Sequence, residues 1–191
     1  PIVVAGGGIH HSNTTIEFIK FIEKYKIPAV FSYPAKDILH HDHVLNAGVM
    51  GQFGHSYANI ILKNADLILG LGTRFSIRQT GNDILHFAEG TKKILVNIDD
   101  GELCDGRLGG DIMLNQDLSE FFIRMNDISY SPHKGWNEFI LKVKNENPII
   151  LTKYWESKLV NPYIFYNKLS ESIDGNAIII PDCGQNVIMA S

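Results

Sequence analysis

Short apolar runs alternate along this chain with segments whose apolar positions recur every three to four residues. That alternation predicts strand–helix–strand units. Ile2–Ala5 and residues 29–32, 65–71 and 93–98 read as buried strands, and residues 112–114 as a further short one. Between residues 14 and 25 the apolar positions are 16, 18, 19, 21, 22 and 25, one face of a helix. Thr14 and Glu17 have the spacing of a capping box, which sets where that helix starts, and Pro28 ends the unit. Residues 57–63 and 118–125 read as further helices, the second capped by Asn115 or Asp117.

Strands separated by helices, rather than by tight hairpins, imply a parallel sheet covered on both faces. The fold class expected is therefore α/β, a Rossmann-like open parallel sheet with helices on both faces, plus a truncated second α/β unit. The first domain spans residues 1–129. Residues 130–160 read as a linker over its surface, carrying an amphipathic helix near residues 136–143. At Asn161-Pro162 a new helix opens, with proline at its first position. It leads to a strand at 177–180, the loop Pro181-Asp182-Cys183-Gly184-Gln185-Asn186, and a helix just starting, so that 161–191 reads as the beginning of another domain. The chain opens on a strand without Met and ends inside an apolar helical pattern at Ala190-Ser191, so both ends read as cuts from a longer protein.

Composition narrows the classes. Hydrophobic residues are 45% and charged residues 20% of the 191, the balance of an ordinary globular chain. The formal charge is −4 and no basic stripe interleaves with aromatics, which excludes a nucleic-acid partner. No apolar run reaches the ~20 residues of a membrane span. Cys104 and Cys183 stand apart in no paired motif, the usage of reduced thiols in a cytoplasmic protein.

The candidate chemistry gathers where strands end. Gly6-Gly7-Gly8 follows the first strand, and such a turn either brings amides to a phosphate or simply makes a tight bend. Residues 48–81 carry glycines at 48, 51 and 54, a helix, a strand, and then Gly72-Thr73-Arg74-Phe75, a turn with a cation beside it. Asp99, after the strand at 93–98, could accept from a ribose or cap a helix; Arg74 could pair with phosphate or with a nearby carboxylate. Carboxyl ends of parallel strands are where open α/β sheets place ligands. His40-His41-Asp42-His43 invites a metal reading, but adjacent histidines point apart and no second ligand cluster accompanies them, so a solvated loop is favoured, as it is for His10-His11. No nucleophile elbow, Walker loop or HExxH occurs.

The glycine run with Tyr57-Ala58-Asn59, the stretch from Ala65-Asp66-Leu67 to Gly72-Thr73-Arg74-Phe75, and Thr80-Gly81 resemble the central domain of acetolactate-synthase-like thiamine-diphosphate enzymes. So do the opening through Gly6-Gly7-Gly8, the loop from Ala35-Lys36-Asp37 to Asp42-His43, Asn97-Ile98-Asp99 with Glu102, Asp117, and Asp182-Cys183-Gly184-Gln185. The resemblance implies a parent that uses thiamine diphosphate and magnesium to decarboxylate a 2-keto acid and to ligate or release the product, as a homodimer or homotetramer. It also implies that this stretch, which holds neither the activating glutamate nor the magnesium motif, is inactive alone. Gly184 and Gln185 would touch thiamine diphosphate. Gly7, Gly8, Gly51, Gly72, Arg74, Phe75 and Asp99 would line a crevice for FAD, another adenine nucleotide or CoA. The sequence departs from the FAD-dependent synthases at Phe53, where they carry His, at Ser76-Ile77, where they carry two aspartates, and at Asn97. Those departures count against FAD. A non-catalytic nucleotide-binding or scaffold module is the alternative.

Overall fold

The computed structural model describes residues 1–189, which fall into two units dividing between Glu146 and Asn147. The expected end of the chain at Ala190-Ser191 lies outside the described residues. In the first unit the elements run β1 (Ile2–Ala5), α1 (Gly8–His11), α2 (Thr15–Tyr25), β2 (Ala29–Phe31), β3 (Asn46–Val49), α3 (Ser56–Lys63), β4 (Leu67–Leu71), α4 (Ile77–Thr80), β5 (Lys92–Asn97), α5 (Asp100–Cys104), β6 (Ile112–Asn115), α6 (Leu118–Arg124) and α7 (Lys134–Glu146).

The strands of the first unit form one sheet in the order β3-β2-β1-β4-β5-β6, with every pairing parallel. The order reverses between β1 and β4, where Ile2 to Ala5 lie beside Ile68 to Leu71. Alternate residues along each strand serve opposite faces, and each face has its own core. Val3, Ala5, Phe31, Leu71 and Val96 meet Phe18, Phe21 and Ile22 of α2 and Phe121 and Phe122 of α6. Ile2, Val4, Val30, Ile68 and Leu95 meet Tyr57, Ile61 and Leu62 of α3, Leu103 of α5 and Ile140 and Val143 of α7. The α/β class read from the sequence is the observed one.

Three local readings differ. β3, which carries Asn46 and Gly48, is not among the expected strands, yet it pairs in parallel with β2; Asn46 is buried, its Nδ2 donates to Leu39 O at 2.9 Å and its Oδ1 accepts the Gly48 N–H at 2.8 Å. The expected capping box at Thr14 is not formed. Thr14 is buried and its hydroxyl turns instead to Ser12 Oγ, 2.8 Å away. The helix of the expected linker is α7, and it is part of the first unit's core. Trp136 Nε1 donates to Pro1 O at 2.8 Å and Lys144 Nζ to Asn46 O at 2.9 Å.

The second unit contains α8 (Thr152–Trp155), α9 (Pro162–Ser172) and α10 (Gln185–Met189). Asn161 caps α9 through the Tyr163 N–H at 3.0 Å, with Pro162 in the first turn as the sequence predicts. Residues 177–180 are not a strand. Ile178 and Ile180 are each 87% exposed, and a strand needs a paired neighbour that this unit does not supply among the described residues.

Candidate functional site

The carboxyl end of the sheet at the β1/β4 reversal is where an open α/β fold gathers its loops. There the β1 and β4 turns interlock through main chain. The Gly6 N–H donates to Leu71 O at 2.9 Å, the Gly8 N–H to Gly72 O at 3.0 Å, and the Gly72 N–H to Val96 O at 2.9 Å. A Cβ on Gly8 would stand 2.6 Å from Gly72 Cα, and one on Gly6 would overlap Gly72 O. Gly72 itself has φ +58°. These three glycines are therefore required by backbone-on-backbone contact. Gly7 differs: a Cβ there would meet only the Pro34 side chain, at 3.2 Å.

Ser32 follows β2, two residues before the Pro34 that Gly7 faces. Its N–H donates to Ala5 O at 2.9 Å and its carbonyl accepts from Ala35 N–H at 2.9 Å. The Ser32 side chain is 3% exposed, and its Oγ has no hydrogen-bond partner among the described residues. A buried hydroxyl left unpaired costs about 1–3 kcal/mol. Among the described residues it is the one buried side-chain nitrogen or oxygen without a hydrogen bond. Sequence reasoning passed over Ser32, because a lone serine after a strand carries no pattern.

The opposite rim is polar and already paired. Arg74, largely exposed, places Nε 3.2 Å from Glu102 Oε1 and Nη2 3.9 Å from Asp99 Oδ2. Asp99 caps α5, accepting the Gly101 N–H at 3.0 Å. Asn97 Nδ2 reaches Thr73 O at 3.5 Å, and Gln79 Nε2 donates to Thr73 Oγ1 at 3.0 Å. Phe75 is 2% exposed, with φ +47°, and its ring fills the space over Gly70, where a Cβ would come within 2.6 Å. It supports the rim from the core.

Gly51 stands apart, in the β3–α3 loop at φ +106°. Its N–H donates to Asn59 Oδ1 at 2.9 Å and its O accepts from Asn59 Nδ2 at 3.0 Å. A Cβ there would sit 2.5 Å from Arg78 O, and the Gln52 N–H donates to that same oxygen at 2.8 Å. The glycine run thus folds one loop against α3 and α4. Gly51, Gln52, Asn59, Gln79, Asn82 and His86 are among the residues lining a cavity of about 510 Å³, and of the predicted crevice residues only Gly51 belongs to it. His55, after that run, accepts the Val49 N–H at Nδ1 (3.2 Å) and lies 4.9 Å from the Tyr57 ring. Burial, then the nearby Lys144 and His41, lower its pKa to about 4, and burial raises that of Tyr57 to about 12.

In the second unit Gly184 has φ +133° and nothing within 4 Å of where a Cβ would lie, and Gln185 opens α10. Asn186 Nδ2 donates to Asp182 Oδ1 at 2.6 Å and Tyr166 Oη to Asn186 O at 3.2 Å. This open main chain suits the approach of a diphosphate. Among the described residues of this unit no set of carboxylates is grouped to hold magnesium, so the fit is to the diphosphate side of such a site alone.

Comparison with known proteins agrees with this architecture. Residues 1–123 match the family described as the central domain of thiamine pyrophosphate enzymes. The chain is 31% identical over 188 residues to an acetolactate synthase large subunit of Lactococcus lactis, covering 97% of this chain and 32% of the relative. It is 30% identical over 196 residues to a probable acetolactate synthase large subunit of Methanocaldococcus jannaschii, again 97% and 32%. A 3D-(3,5/4)-trihydroxycyclohexane-1,2-dione hydrolase of Clostridium perfringens is 27% identical over 209 residues, covering 96% and 33%. The chain thus spans about a third of the length of these curated relatives.

Proposed function

This chain belongs to the family of thiamine pyrophosphate enzyme central domains, and from that premise we propose that it is the central domain, with the first part of the pyrophosphate-binding domain, of an enzyme acting on 2-keto acids. The reaction is decarboxylation followed by ligation to an acceptor, as the names of the acetolactate synthase relatives suggest. Thiamine diphosphate, when bound, supplies the electron sink for that decarboxylation. The residues of this chain do the holding: Gly184 and Gln185 bring open main chain to the diphosphate, while the first unit offers an adenine-nucleotide crevice at the β1/β4 reversal.

One observation carries the nucleotide part of the reading. Ser32 Oγ is buried and unpartnered among the described residues, and Ser32 directly follows β2 at the carboxyl edge of the sheet. A ribose or phosphate oxygen there would complete its bonding. FAD is disfavoured, because Phe53 and Ser76 replace the polar residues expected for it, and Ser76 is occupied in capping the start of α4 with Gln79, whose Oε1 accepts the Ser76 N–H at 2.7 Å.

The polar groups of the rim have structural partners: Arg74 is ion-paired and Asp99 caps a helix. Among the described residues of the rim no acid–base pair or nucleophile is assembled, which supports the reading that this stretch is inactive alone. The test is an assay of the purified chain with pyruvate, thiamine diphosphate and magnesium. The expected result is no release of carbon dioxide above the protein-free control; saturable turnover by the chain alone would overturn the reading. The second reading, a non-catalytic nucleotide-binding module, rests on the same paired rim. It is separated from the first by adding flanking coding sequence: activity gained with it supports the enzyme.

A further inference from the structure

The β2–β3 crossover carries a group of side chains unrelated to the crevice. His43 N–H donates to His40 O at 3.0 Å and makes a tight turn of residues 40–43. That turn undoes the expectation that the adjacent histidines diverge. The rings of His40 and His41 lie 4.6 Å apart, tilted by 41°. Asp42 reaches back to both, with Oδ2 3.7 Å from His40 Nδ1 and Oδ1 3.1 Å from His41 Nε2. One ligand atom from each of the three lies within 4.8 Å of the others, and all three residues are exposed. His43 is not part of the group, because its Nε2 is turned to Glu23 Oε1 at 3.2 Å.

We propose that His40, His41 and Asp42 form a surface site for a borderline divalent transition-metal ion of the Zn²⁺, Co²⁺ or Ni²⁺ class. Two imidazoles and one carboxylate are the donors such ions take, whereas magnesium and calcium favour all-oxygen sets. Ligands at about 2.0–2.1 Å from a tetrahedral ion stand roughly 3.4 Å apart, and His40 Nδ1, which accepts the Asp42 N–H at 3.3 Å, would exchange that bond for the ion. Three protein ligands leave a coordination position for water. The turn leads directly into β3: Asn46 Nδ2 donates to His40 O at 3.2 Å as well as to Leu39 O. An ion held here would therefore pin the start of that strand and stabilise the first unit by mass action.

The experiment is calorimetric titration of the tag-free chain with ZnCl₂, repeated with His41→Ala, Asp42→Asn and the outlying control His133→Ala. Cobalt absorption spectra report the coordination independently of heat. Wild type and His133→Ala are expected to bind a single ion per chain in the micromolar range. His41→Ala and Asp42→Asn are expected to bind on the order of tenfold more weakly or worse, since even outer-shell partners of a metal ligand are worth about that much. Circular dichroism shows that each variant is folded, as exposed substitutions should be. No saturable binding up to millimolar metal would overturn the site, as would equal binding by wild type, His41→Ala and Asp42→Asn.

Discussion

Gly8 hands its amide proton to the carbonyl of Gly72 at 3.0 Å, and a methyl group on Gly8 would come within 2.6 Å of Gly72 Cα. This contact clamps the β1 and β4 turns together where the strand order reverses. Gly8→Ala is expected to lower stability by about 1–3 kcal/mol, the usual cost of forced overpacking. Gly7→Ala meets only the Pro34 side chain and should cost less. Urea denaturation midpoints of the two variants check the order; equal midpoints would mean that the clamp is not tight.

Phe75 is expected to behave as a core residue. Its ring lies over Gly70 and 6.0 Å from the ring of Phe87. Phe75→Ala should destabilise the first unit by about 3–5 kcal/mol, the range for a buried aromatic cut to a methyl. A thermal melt shifted by only a degree or two would contradict this placement.

Asp99 separates capping from ligand binding. Asp99→Asn keeps an oxygen for the Gly101 N–H, so stability should stay within about 0.5 kcal/mol, while Asp99→Ala should lose about 1 kcal/mol. Losing the exposed Arg74 pair adds little in either variant. Chemical denaturation distinguishes them, and equal losses for Asn and Ala would show that charge, not the cap, matters.

His55 makes stability depend on pH. Its folded-state pKa is held near 4, first by burial and then by Lys144 and His41, below an ordinary value of 6.5. The unfolded chain therefore takes up its proton first as the pH falls. The stability contributed is fully present above pH 6.5 and is lost progressively down to about pH 4, on the order of 3 kcal/mol in all. His55→Gln removes the titrating group, and the slope of stability between pH 6.5 and 4 should flatten. An NMR titration placing the wild-type imidazole near 6.5 would contradict it.

Much of the architecture was legible because β1 and β4 are uniformly apolar, β5 has the apolar centre Ile94-Leu95-Val96, and α2 shows its face every three to four residues. β3 was not, since Asn46 and Gly48 break the apolar run; pairing with β2 makes it a strand, and the buried Asn46 side chain is satisfied by Leu39 O and the Gly48 N–H. The capping box at Thr14 failed because burial gave the hydroxyl a better partner in Ser12. Of the candidate site, the glycines were visible by spacing, but spacing does not reveal whether a glycine faces a ligand or another backbone. Gly8 and Gly72 face each other. Ser32 was invisible for the opposite reason: its signal is an unpaired hydroxyl, which exists only once the chain is folded around it. The turn at His40 and His41 likewise depends on a backbone bond that composition does not encode.

The most direct test of the account is whether the β1/β4 crevice is a working nucleotide site. Calorimetric titration of the purified chain with ADP, CoA and FAD, beside the Ser32→Ala variant, measures this. The account predicts micromolar binding of an ADP-containing ligand, with FAD no tighter than ADP, and weaker binding in Ser32→Ala. Heats of dilution alone for all three ligands, or binding indifferent to Ser32→Ala, would contradict it.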